Sequence, residues 1–191
     1  MSLKAPVYGL VALPHHPQLP TIAETKEPVI AYFAALEETG FSIWLRESGF
    51  AFFTSLTLHS LAMACVVGIN VAMGLRLLGI AGGIRLDRMA AFYPLHWYGA
   101  LLVLVSGIAL LIAYPAKALT NPVFYLKLAA LGSGLLIARN LQLRLEALPT
   151  TEISPELRRL GAWSLALWLL TIFAGRFLAY THTTLLASSF I

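Results

Sequence analysis

From Phe50 to Leu75 the chain runs 26 residues without a charged side chain. Such a run spans roughly 39 Å as a helix at 1.5 Å per residue, more than the ~30 Å of hydrocarbon in a bilayer. A second run, Met89 to Ala116, is likewise uncharged. A third, from about Val123 to Gln142, carries only Lys127 before Arg139, and a fourth, from about Leu160 to Tyr180, carries only Arg176. The composition agrees: 59% of the 191 residues are hydrophobic and 12% charged. A soluble domain has about twice that density of charge to coat its surface. The expectation is an all-α integral membrane four-helix bundle, with spans at about 50–78, 90–114, 122–145 and 159–181.

The separators fit. GIAGGIRLDR (79–88) and PTTEISPELRR (149–159) are turn-rich and charged, and YPAKALTNP (114–122) is bounded by prolines. Ser154-Pro155-Glu156 reads as an N-cap followed by proline at the first helical position. Arg76, Arg85, Arg88, Arg139, Arg144, Arg158 and Arg159 flank one side of the spans, whereas the loop between spans two and three offers only Lys117. The positive-inside rule then puts the arginine side in the cytoplasm and both termini outside it.

Residues 1–49 form a separate region. Five prolines (Pro6, Pro14, Pro17, Pro20, Pro28) make its start an extended arm, and three basic against five acidic residues give it a net charge of −2. No basic segment precedes an early apolar core, so it does not read as a signal peptide. PVIAYFAALEETG (28–40) predicts a short amphipathic helix, and FSIWLRES (41–48) adds aromatic groups beside charges. Together they suit the headgroup layer on the outer interface. A simple disordered leader is the alternative.

Several classes fall away. The net charge of +4 arises from basic residues clustered between apolar runs, and no basic-aromatic module is present, so nucleic acid is not an expected partner. The single cysteine, Cys65, excludes an internal disulfide framework and sits where a thiol is inert. There is no nucleophile elbow, phosphate loop, paired carboxylates or HExxH, so no catalytic activity is expected. The lipid bilayer is the expected partner, together with other membrane subunits or further copies of the chain.

Polar groups inside the spans carry the functional question. His59 lies nine residues into span one, roughly 13 Å deep. Its helical face continues through Ala62, Met63, Val66, Asn70 and Gly74, the small and polar pattern a helix presents to other helices. Two readings stand for His59: a packing hydrogen bond, or a haem, metal or proton site. His96 in FYPLHWYG reads as an interfacial anchor or a ligand, and His182 lies at the outer rim. His15 and His16 lie on the external arm. Haem held by two histidines needs both at one depth. At 1.5 Å per residue His59, His96 and His182 fall at roughly 13, 27 and 0 Å, so no intramembrane pair matches as the spans are drawn, and His59 with His182 works only if span four continues past Tyr180 as a helix or span one starts late.

Lys127 and Arg176 occupy the outer halves of their spans at similar depth, and no Asp or Glu occurs within the four spans. Their counter-charges come from backbone carbonyls, from Glu37, Glu38 or Glu47, or from a bound anion. Snorkelling is the bland alternative for Lys127, and a structural clamp for Arg176.

WLRESGFAFFTSLTLHSLAMACVVGINVAMGLRLLG (44–79), NPVFYLKLAALGSGLLIARN (121–140) and AGRFLAY (174–180) resemble an uncharacterised family of small bacterial four-span membrane proteins, a domain of unknown function. The matching positions are His59, Arg76, Asn121, Pro122, Phe124, Lys127, Gly175 and Arg176, and the likeness covers most of residues 37–181. His96 and the arm with His15 and His16 depart from the pattern. More distantly the layout is similar to the membrane domain of copper-resistance protein D and to four-helix b-type cytochromes. The resemblance implies a bacterial inner (cytoplasmic) membrane and an outer-leaflet constellation of His59, Lys127 and Arg176, with Asn70 on the same helix face. The expected role is a non-catalytic subunit with a cofactor or anion pocket, haem b with electron transfer being the first specific form. Copper or metal handling through His59, His96, His182, His15 and His16, and a scaffold role in a larger membrane complex, are the competing expectations.

Overall fold

The computed structural model describes residues 31–147 and 153–188. Among these residues every regular element is a helix: α1 (31–37), α2 (Gly40–Glu47), α3 (Gly49–Leu77), α4 (Leu86–Ala90), α5 (Tyr93–Ala113), α6 (Pro115–Leu119), α7 (Pro122–Ala147) and α8 (Pro155–Ser188). Four stretches are long and apolar enough to cross a membrane: Gly49–Leu77, Leu86–Ala113, Pro122–Ala147 and Pro155–Leu178. This is an all-α bundle of a multi-pass membrane protein.

Local chemistry sets the helix ends. Ser48 Oγ accepts from the Ala51 amide at 3.2 Å and opens α3. Gly79, at φ +87°, closes it with paired bonds, Ile80 N–H to Leu75 O and Gly79 N–H to Arg76 O, both 3.1 Å. That Schellman arrangement needs a left-handed residue, which glycine adopts without steric cost. Arg76 Nε also donates to Ile84 O, tying the loop down. Asn121 Oδ1 accepts from Val123 N at 2.9 Å ahead of α7, and Ser154 Oγ accepts from Leu157 N at 3.2 Å at the start of α8. Both helices begin with proline, whose missing N–H is no loss there.

α3 is the hub. It packs on α5 along one side and on α8 along the other, and α7 packs on α8. Near the arginine-rich ends Met73, Leu77, Leu86, Met89, Tyr93, Ala138, Leu141 and Leu157 form one buried cluster. A second, at mid-span, gathers Ala62, Val66, Val67, Val103 and Trp168, with Leu131 and Leu135 of α7 packed against it. Because lipid is as apolar as a leucine core, close van der Waals approach rather than hydrophobic burial holds spans together. Small residues supply it: a Cβ on Gly99 would lie 2.9 Å from Val66 Cγ2, and one on Gly134 would lie 3.1 Å from Trp168 Cε2. At the arginine end Trp97 Nε1 donates to Gln142 Oε1 at 2.8 Å, linking α5 to α7.

α2 lies across the opposite ends of α3 and α5. It buries Ser42 and Leu45 against the bundle and leaves Phe41 and Trp44 exposed, their rings stacked at 5.8 Å. The region read from sequence as one helix over 28–40 is helical over 31–37, and a separate helix begins at Gly40; residues 28–30 lie outside the described residues.

Candidate functional site

The polar groups of the spans divide into three separate places. The first surrounds His59. Its side chain is half-buried, and Nδ1 lies 3.0 Å from Ser106 Oγ on α5. Ser106 is itself 2.5 Å from Leu102 O. A carbonyl oxygen only accepts, and the hydroxyl has one hydrogen, so that hydrogen goes to Leu102 O. Ser106 Oγ is left with lone pairs, and His59 Nδ1–H donates to one of them. In the neutral ring the lone pair then falls on His59 Nε2. A hydrogen-bonded Nδ1–H that fixes the ring and leaves Nε2 basic is the arrangement found behind ligating imidazoles. Gly107 makes room for it: a Cβ there would sit 3.3 Å from His59 Cε1.

Lys127 approaches from α7. Its stem lies along Gly175 of α8, where a Cβ would stand 3.6 Å from Cε and 3.8 Å from Nζ. The ammonium is close enough to His59 to act on it electrostatically. Lys127 is half-buried, and neither a carboxylate nor a hydrogen-bond acceptor among the described residues meets it. Arg176 does not join this group. Its side chain is exposed, in a groove on the outside of the α7–α8 pair with Val123, Leu126, Leu170, Phe173, Ala174, Phe177 and Tyr180.

The second place is around His96. The ring is fully buried, and neither nitrogen has a hydrogen-bond partner among the described residues. It stands edge-on to Trp97, with centroids 4.9 Å apart, and to Trp168 at 6.5 Å. Trp168 Nε1 and Ser164 Oγ are also buried without partners. The sequence reading of His96 as an interfacial anchor is corrected here, because the ring packs into the interior between α5 and α8. His59 pairs with Ser106, ten residues along α5 from His96, which separates the two imidazoles by about 15 Å along the axis. They share no ligand. Asn70 is buried and spends its amide on Val66 O of its own helix at 2.8 Å, about 16 Å along α3 from His59.

The third place, which the sequence did not reveal, joins α1 and α2 to the α5–α6 corner. Ser42 Oγ donates to Ile112 O at 2.8 Å. Arg46 donates to Glu37 O at 2.7 Å and to Ala113 O at 3.4 Å, with its guanidinium 5.8 Å from the Tyr114 ring centroid. Glu37 accepts from the Ala116 amide at 3.0 Å and lies 3.8 Å from Arg46. Glu37 is thus committed to the corner and is not a counter-charge for Lys127 or Arg176. Among the described residues no group of three His, Cys, Asp or Glu side chains is placed to hold a metal. His15 and His16 lie outside the described residues, as does the side chain of His182, whose backbone belongs to α8.

Ser106 was the partner that sequence reading missed, although a signal existed. Ser106-Gly107 interrupts an apolar run eight residues before Tyr114, about 12 Å deep and level with His59. Comparison with protein-family models, with curated proteins and with solved structures finds no match to this chain.

Proposed function

We propose that the protein is a non-catalytic membrane subunit that holds an anionic ligand or cofactor between α3, α5 and α7, at His59 and Lys127. One observation carries this reading: a half-buried ammonium with no carboxylate partner among the described residues lies within electrostatic reach of an imidazole whose Nδ1–H is already spent on Ser106. An ammonium held that way within a span is costly alone, and an anion relieves the cost. His59 Nε2 supplies a lone pair to the same ligand. A haem would be held by His59 and Lys127, and it would supply electron transfer. In this reading the arginine-rich ends of the spans face the cytoplasm of a bacterial inner membrane, so the site occupies the outer half of the bilayer.

Purified protein tests it. A ligand retained in native mass spectrometry should be lost from Lys127→Met and His59→Ala, and the haem form requires a Soret band with a reduced-minus-oxidised difference. Wild-type protein carrying no bound species, including after incubation with haem, would remove the proposal.

A further inference from the structure

Arg176 belongs to a different site from Lys127. It sits within an apolar span, Pro155–Leu178, with its side chain turned out of the bundle. The groove it lines measures about 460 Å³ and is otherwise walled by apolar groups, chiefly Leu126 of α7 and Leu170, Phe173 and Phe177 of α8. Arg176 is the one charged residue in that lining, and no carboxylate among the described residues pairs with it. Its level is set by the antiparallel partner. Val123, in the first turn of α7, lines the same groove, so the guanidinium stands where α7 enters the membrane, with the apolar walls extending inward beneath it.

We propose that this α7–α8 groove binds one anionic phospholipid, its phosphate on Arg176 and an acyl chain along Leu126, Leu170 and Phe173. The charge pattern selects this occupant. A single cation at the rim of an apolar channel complements a molecule with one anion and a long hydrocarbon tail. The guanidinium offers two parallel N–H groups to two phosphate oxygens, at the level where lipid phosphates lie. A second protein chain would have to bring a carboxylate to the same point.

Native mass spectrometry of the full chain in detergent, with added phosphatidylglycerol or phosphatidylcholine, tests this. Wild type should retain one phosphatidylglycerol in preference to phosphatidylcholine. Arg176→Gln should lose about tenfold of that preference, and Arg176→Lys should keep part of it. Lys127→Met should leave it unchanged, which separates this site from the ligand site at His59. Wild-type thermal unfolding in both Arg176 variants verifies that the fold is intact, as expected for a lipid-facing position. Undiminished preference in Arg176→Gln, loss in Lys127→Met instead, or dimerisation that depends on Arg176 while lipid retention does not, would each overturn the proposal.

Discussion

Gly74 of α3 and Gly161 of α8 face each other so closely that a Cβ on either would lie 3.1 and 3.3 Å, respectively, from the other's carbonyl oxygen. The two positions are not equivalent. A Cβ on Gly161 would also meet Leu77 Cβ at 2.8 Å, an atom fixed to the backbone, whereas one on Gly74 would meet Leu165 Cγ at 2.6 Å, on a side chain with rotamers to spare. Gly161→Ala should therefore destabilise the bundle more than Gly74→Ala, within the ~1–3 kcal/mol range of overpacking, measured as unfolding in mixed micelles. Equal effects would show that the helices separate rather than repack.

The His59–Ser106 bond predicts a coupling. Ser106→Ala removes the acceptor for Nδ1–H and should cost about 1 kcal/mol of stability. In a double-mutant cycle with His59→Ala, a coupling near that size is expected, since the two side chains share this one hydrogen bond. Strict additivity of the two changes would mean that the bond contributes nothing.

His96 behaves in the opposite sense. A buried ring with two unpartnered nitrogens loses hydration and gains no hydrogen bond in return. His96→Leu, similar in volume and free of that penalty, should leave unfolding unchanged or raise stability by about 1 kcal/mol. A marked loss of stability would reveal a polar contact at this ring that the packing does not explain.

Glu37 and Arg46 lock the first helices to the α5–α6 corner. Glu37→Ala takes the acceptor from the Ala116 amide, and Arg46→Ala takes the donors from Glu37 O and Ala113 O. Each should cost roughly 1 kcal/mol and speed hydrogen exchange over α6 while leaving α7 and α8 protected. Uniform acceleration across all helices would place this corner in the cooperative core instead.

The legible part of this protein was whatever depends on the chain's own neighbours. Apolar runs gave four spans, three with limits within a few residues of the helices observed and the fourth, expected over 159–181, extended to Pro155–Ser188; Ser154-Pro155 gave the start of α8 because capping is a contact over three residues. Axial separation was legible for the same reason: a constant rise per residue sets His59 about 14 Å from His96, and the His59–Ser106 contact, ten residues along α5 from His96, agrees.

Direction around a helix was not. Adjacent residues point about 100° apart, so Gly175 lies against Lys127 while Arg176 faces outward, and only the placement of α7 decides which of the two lines the interior. The partners of His59 and Glu37 stand 47 and 79 positions away along the chain. Thus the sequence by itself determined which segments are long and apolar enough to cross a membrane and how far along its helix each polar group lies, because hydropathy and helical rise are local. Tertiary structure alone decided which of those groups meet, because a hydrogen bond between spans depends on the rotation and spacing of two helices that no local pattern specifies.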